Sequence, residues 1–245
     1  MQQHHGKTIW IIGASSGIGA ALAQTLSNEG ARLILSARRQ DKLKEVKGQL
    51  HGDDHKVVAL DVSDANAFLN AAKAIGPVDS VIYLAAVYKP NATALSDVKQ
   101  ALDVNLFGAF ACVNAVRDIF KQQGHGQIVL CASVAGYRGL PNAQPYCATK
   151  AALINYAESL KIELEPEHID VKIICPGFVK TDLTDKNDFK MPMMISADEA
   201  ASAISKGLTQ KGFEIHFPKR FTLIMKTLRL IPNWLFFVFS RKMRR

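Results

Sequence analysis

Cysteine is scarce in this sequence. The four that occur, Cys112, Cys131, Cys147 and Cys175, form no CxxC pair and have no histidine pattern beside them. That spacing argues against a zinc site or a redox dithiol, so no metal is expected and each cysteine reads as a small apolar filler. It also argues against a disulfide-stapled secreted protein and favours a reducing, cytoplasmic setting. Met1 to Lys7 lacks an apolar core segment and a cleavage-site pattern, so secretion is not indicated. No internal repeat and no low-complexity linker interrupt the chain. Acidic residues are missing from one long stretch: Lys219 to Arg245 holds eight basic residues and no acidic one.

That absence explains the net charge of +8. Residues 1–218 carry 22 basic and 22 acidic side chains, so the body is neutral and the whole excess lies in the tail. A duplex-binding protein needs a basic stripe on its folded body, and the sequence offers none, so nucleic acid is not an expected partner. With 245 residues and a hydrophobic fraction of 48%, the chain can build one sizeable core.

Apolar, β-rich runs alternate with helix-length amphipathic stretches. Thr8–Ile12, Arg32–Ser36, Lys56–Leu60, Ser80–Leu84, Gln127–Cys131 and Val171–Cys175 read as buried strands, and Phe213–His216 as a candidate last one. Between them lie helical patterns at Ile18–Asn28, Ala65–Ala74, Val98–Gln122 and Ala148–Glu165. A helix at each crossover means an α/β fold, a doubly wound parallel sheet covered on both faces. One catalytic domain is expected over residues 1–218, with 219–245 as an appended basic, amphipathic tail.

Directly after the first run comes Gly13-Ala14-Ser15-Ser16-Gly17-Ile18-Gly19, which opens the first helical pattern. Glycines let the backbone turn tightly and approach a pyrophosphate seated on free N–H groups at a helix N-terminus. A glycine needed for turn geometry alone is the competing explanation. Asp61-Val62, after the third run, is placed to meet an adenine ring, although an Asp in that position is also a common helix N-cap. The choice of dinucleotide depends on the end of the second run. An acidic residue there would accept from a ribose 2′-OH, but the sequence continues Ala37-Arg38-Arg39. A guanidinium fork suits a 2′-phosphate, so NADP(H) is the expected cofactor unless both arginines are merely solvated.

Tyr146-Cys147-Ala148-Thr149-Lys150 is a YxxxK pair at the start of a helical pattern, and i, i+4 residues share a face. A phenol titrates near 10 in water, and a neighbouring ammonium favours its ionised form. Such a pair is common by chance, and its context gives it weight. Ser133 follows an apolar run, where its hydroxyl can hold a substrate oxygen. Asn105 sits in a stretch otherwise rich in apolar residues, where a buried amide must be bonded, either as structural glue or as a holder of water.

Together these motifs resemble the short-chain dehydrogenase/reductase family, in its short, single-domain type, over residues 7–217. The resemblance implies a Rossmann-like fold, with Gly13, Gly17 and Gly19 in the cofactor loop beside Ser15, Ser16 and Ile18. It implies that Asp61 and Val62 meet adenine and that Asn105, Ser133, Tyr146 and Lys150 form a proton-relay tetrad, Asn105 holding a water. Pro176-Gly177-Phe178-Val179-Lys180-Thr181 is similar to the family's PG segment, whose threonine meets the nicotinamide amide. Arg38 resembles the basic residue of NADP-preferring members. Two departures stand out: Ile12 precedes the loop in place of threonine, and Tyr83-Leu84-Ala85-Ala86 replaces the family's NNAG. The second removes bracing amides and puts a methyl where glycine lets a ribose approach.

The implied function is an oxidoreductase moving a hydride between NADP(H) and a carbonyl or alcohol substrate. A catalytically idle NADP(H) sensor or membrane scaffold is the alternative. A sugar-nucleotide epimerase would need a larger substrate portion than the residues after Thr181 provide. In the tail, Phe221, Ile224, Met225, Leu228, Ile231, Leu235 and Phe239 recur at helical spacing, with Thr222, Lys226, Arg229, Asn233 and Ser240 in a polar strip. Pro232 divides the segment into two short helices. Its longest uncharged run, Leu230–Ser240, is far below the roughly 20 residues that span a bilayer. Apolar residues flanked by cations, ending in Arg241-Lys242-Met243-Arg244-Arg245, suit the anionic inner face of a membrane. A pocket cover or a homo-oligomer interface would use the same residues. The apolar tail also leans toward a lipophilic substrate.

Overall fold

The computed structural model describes residues 3–241, apart from the Phe239 side chain; Lys242 to Arg245, the end of the basic tail, lie outside the described residues. Seven strands form one fully parallel sheet: β1 (Thr8–Ile12), β2 (Arg32–Ala37), β3 (Lys56–Ala59), β4 (Ser80–Tyr83), β5 (Gly126–Cys131), β6 (Ile169–Pro176) and β7 (Glu214–Phe217). Their order across the sheet is β3-β2-β1-β4-β5-β6-β7. The winding reverses between β1 and β4, so the loops after those two strands part and leave a crevice at the carboxyl edge.

Alternation along each strand sends successive residues to opposite faces. In β1, Trp10 and Ile12 join one core with Phe68, Cys112, Phe120, Leu153 and Leu160, while Ile9 and Ile11 join the other with Leu22, Leu26, Leu43, Ile204 and Leu208. The first core lies under α3 (Ala65–Ile75), α5 (Gly108–Gln123) and α6 (Tyr146–Leu164), and the second under α1 (Gly17–Asn28), α2 (Gln40–Lys47) and α7 (Ala197–Leu208). The sequence patterns did not single out α2 or α7. α7 is opened by a full capping box between Ser196 and Glu199.

The single helix expected over Val98–Gln122 is two. α4 (Leu95–Ala101) meets α5 through a π-helical turn, Leu102–Phe107, that carries the buried Asn105. Periodicity cannot reveal a turn in which the backbone stays helical and only the hydrogen-bond step changes. The turn is braced from β4. Tyr83, standing in the place of a family asparagine, is fully buried and donates its hydroxyl to the Val104 carbonyl at 2.5 Å. Gly108 makes room for it, since a Cβ there would lie 2.3 Å from the Tyr83 hydroxyl.

The segment after Pro218, expected as an appendage, is docked on the body. It forms α8 (Lys219–Leu230) and α9 (Asn233–Arg241), divided at Pro232 as expected. Met225 enters the first core, and Phe221 and Leu228 pack against it. Lys226 pairs with Glu214 at 2.6 Å, and the Tyr137 hydroxyl donates to the same carboxylate.

Tyr83→Phe should orphan a buried carbonyl and destabilise the fold by about 1–3 kcal/mol. Urea unfolding of both proteins measures this, and an unchanged midpoint would show that the hydroxyl braces nothing.

Candidate functional site

The glycine loop after β1 is shaped by close approaches that admit no side chain. Gly13 has φ +93°, and a Cβ on it would lie 2.6 Å from the Ala85 amide nitrogen. A Cβ on Gly19 would lie 2.1 Å from the Gly13 carbonyl oxygen. α1 begins without a side-chain cap: Ser16 is in the N-cap position, but its hydroxyl bonds no backbone amide of the first turn. Free amides at a helix start and a cradle that only glycine fits are what a pyrophosphate needs.

This loop floors a cleft of about 540 Å³ at the carboxyl edge of the sheet. The cleft brings together Gly13, Ser15, Ser16, Ile18, Gly19, Arg38, Val62, Ser133, Tyr146, Lys150, Pro176, Gly177 and Thr181, all singled out from the sequence. Gly17 lies behind it, where a Cβ would meet the Thr181 methyl at 3.1 Å. Asp61 lines an adjoining hollow that it shares with Arg38, Ser63 and Lys99. It does not cap α3, because Asp64 does that, accepting from the amides of Asn66 and Ala67. Asp61 instead accepts from the Ser63 amide and hydroxyl, which together with Arg38 hold its carboxyl below the usual range. Arg39 also lines the cleft and reaches the Ser15 hydroxyl at 3.4 Å.

Asn105 is fully buried behind the cleft. Its Oδ1 accepts from the Val87 amide at 2.7 Å, and its Nδ2 donates to the Val87 carbonyl at 2.9 Å and to Thr149 Oγ1 at 3.2 Å. Both amide hydrogens are therefore used. The side chain fastens the loop after β4 to α6.

Lys150 is 1% exposed, and its Nζ donates to the Cys131 carbonyl, the last of β5, at 2.8 Å. Burial depresses its pKa, as expected for a cation taken out of water. The same Nζ lies 5.5 Å from the centroid of the Tyr146 ring, one helical turn earlier. Burial pushes the Tyr146 phenol well above its ordinary value, while the Ser133 hydroxyl beside it pulls the other way. The sequence led to the expectation that Lys150 would bring the phenol toward neutrality. In the chain by itself burial outweighs any such pull, and the phenol stays protonated. Ser133 also accepts from the Ala135 amide at 3.1 Å, which orients its hydroxyl.

Sequence reading missed Tyr88. Its ring packs edge-on against Tyr146 with centroids 5.1 Å apart, and its hydroxyl donates to Asn187 Oδ1 at 3.1 Å. It thereby ties the segment after β6 to Tyr146, across 99 positions of sequence that no local pattern spans. Phe178 was seen only as part of the PG segment. It packs edge-on against Phe189 with centroids 5.9 Å apart and at a tilt against Phe221 of α8 at 5.3 Å, and Phe221 closes over Gly177.

The model for short chain dehydrogenases matches residues 7–191. An uncharacterized oxidoreductase of Myxococcus xanthus is 34% identical over 97% of this chain and 98% of its own. The 11-beta-hydroxysteroid dehydrogenase-like protein 4A of Arabidopsis thaliana is 34% identical over 83% of this chain and 74% of its own. Among solved structures, a short-chain dehydrogenase from Sphingobium yanoikuyae in complex with NADPH has a TM-score of 0.81 at 25% identity, covering 86% of this chain and 88% of that one. Another, from Burkholderia phymatum in complex with NAD, shares the fold with a TM-score of 0.84 at 23% identity, over 92% and 94%. The glycine cradle, the cleft it floors and these matches agree: the chain belongs to the short-chain dehydrogenase family of oxidoreductases.

Proposed function

We propose that the protein is an NADP(H)-dependent oxidoreductase that interconverts a lipophilic carbonyl compound and its alcohol. The observation that carries this reading is the convergence of Ser133, Tyr146 and Lys150 on one wall of a cleft floored by a glycine cradle. The dinucleotide supplies or accepts the hydride. Gly13, Ser15, Ser16 and Gly19 would hold its pyrophosphate, Asp61 and Val62 would meet its adenine, and Gly177 and Thr181 its nicotinamide. One structural relative is a complex with NADPH and the other with NAD, so the choice of dinucleotide rests on the end of β2. There the chain presents Arg38 and Arg39 and no acid. Arg38, shared with the hollow beside Asp61, is the better placed for a 2′-phosphate.

In the reductive direction Ser133 donates to the carbonyl oxygen and Tyr146 delivers its proton to that oxygen as hydride reaches the carbon. Lys150 stabilises the phenolate that results, which is where its charge acts. Asn105, spent on Val87 and Thr149, keeps the surrounding loop in register. Phe178, Phe189 and Phe221 cluster beside Gly177 of the cleft, which supports a lipophilic substrate. The exposed apolar residues of α8 and α9 support work at a membrane surface, and no described helix is long and apolar enough to cross one.

Tyr146→Phe should lower turnover by about 10²- to 10⁴-fold while leaving the fold and NADPH affinity near the parent's. NADPH consumption with a panel of aldehydes, ketones and diketones measures it, and a variant keeping more than a tenth of the parent rate removes Tyr146 from the chemistry. Arg38→Ala should cut the preference for NADPH over NADH roughly 10- to 150-fold, the worth of a hydrogen bond to a charged group. Titration of both cofactors decides this, and an unchanged preference would point to Arg39.

The raised phenol pKa also separates the two directions of reaction. Reduction uses the protonated phenol, so its rate should be flat across neutral pH. Oxidation uses the phenolate and should rise as pH increases. Parallel pH profiles of both directions check the sign, and an oxidation rate that falls with rising pH would contradict it.

A further inference from the structure

α8 and α9 bury Phe221, Met225, Leu228 and Phe236 against the body, yet they also turn apolar residues toward solvent, where a surface helix ordinarily carries polar ones. On α8 the exposed residues are Lys219, Arg220, Leu223, Ile224, Thr227, Arg229 and Leu230, and Arg220, Leu223, Ile224, Thr227 and Leu230 among them form a stripe at three- and four-residue spacing. On α9 they are Asn233, Trp234, Phe237, Val238 and Arg241 among the described side chains, and the last four form one stripe. Leu230 is 83% and Trp234 70% exposed. Three polar residues of the tail are spent on the protein. Thr222 is hydrogen-bonded with His216 at 2.6 Å, Lys226 holds Glu214, and Asn233 accepts from Arg138 at 2.8 Å. Arg138 also donates to the carbonyls of Leu228 and Ile231 and lies 4.7 Å from the centroid of the Phe236 ring. These anchors fix the rotation of both helices, so the apolar stripes face outward by construction.

We infer that these stripes dock on an anionic lipid surface, lying in its headgroup region with their cations on lipid phosphates. Charge selects this occupant. Glu214 is the last acidic residue of the chain, it is already paired, and eight basic residues follow it. A second copy would set eight like charges against eight. The apolar stripes exceed what an acidic peptide needs for charge pairing alone, whereas an anionic bilayer satisfies both components. The inference extends the lipophilic-substrate reading and rests on it in one respect: Phe221 of α8 lies against Gly177, so the substrate side of the cleft and the lipid surface share a helix.

The full-length protein, mixed with phosphatidylcholine vesicles with and without phosphatidylglycerol, provides the test. Trp234 reports insertion by a blue shift, because the other tryptophan, Trp10, is fully buried. Sedimentation and the shift are expected with the phosphatidylglycerol vesicles only. Binding should weaken by at least about tenfold in high salt and yet persist. Leu223→Ser with Phe237→Ser should remove the part that survives salt, and Arg220→Gln with Arg229→Gln the part that does not. A protein that binds NADPH but ignores these vesicles overturns the docking and leaves the reductase reading standing. One that binds vesicles but not NADPH overturns the reductase reading and leaves the docking. A dimer that Leu223→Ser dissociates overturns the docking in favour of a second copy.

Discussion

The hydrogen bond from Lys150 Nζ to the Cys131 carbonyl ties α6 to the end of β5, and the geometry of the site is indexed from that contact. An ammonium with 1% exposure is costly unless it is bonded, so the pairing holds the helix at one height along the strand. Ser133 stands two residues beyond the carbonyl, and Tyr146 one helical turn before the amine. Tyr146, Ser133 and Lys150 therefore come into register through one long-range bond. The rest of the cleft supplies what that bond does not. Asn105 and Tyr88 hold the loop after β4 against α6, from the buried and the open side respectively.

The electrostatics of the site follow from its burial. A phenol and an amine in a low-dielectric cleft both lean toward their neutral forms, which suits the proposed role of Tyr146 as donor of a proton. The cation then matters most in the state where the phenol has lost that proton. The same burial keeps all four cysteines inert as packing groups, with Cys112 and Cys131 pushed up and away from thiolate chemistry.

The sheet was readable from its strands because buried parallel strands are short apolar runs, and β1 to β6 each have one. The glycine loop, the YxxxK pair and the arginines after β2 were equally readable, since each is a local spacing tied to a local geometry. α2 and α7 were not singled out. Asp61 could be a cap or a ligand until Asp64 was seen capping α3, because both residues follow the same strand and only the helix start separates them.

What the sequence by itself determined is whatever depends on neighbours within a helical turn or a strand: the doubly wound fold, the phosphate cradle, the face shared by Tyr146 and Lys150, and the charge of the tail. The tertiary structure alone decided the pairings between distant segments. Replacement of NNAG read as lost bracing, yet the Tyr83 hydroxyl reaches across 21 positions to the Val104 carbonyl and braces the same turn. The tail's Thr222, Lys226 and Asn233 belong to a polar strip on the helical wheel, yet Glu214, His216 and Arg138 hold these three against the body while apolar residues face outward. An amphipathic pattern states that a helix has two faces. Which one meets the protein depends on partners up to 95 residues away, and a local pattern carries no information about them.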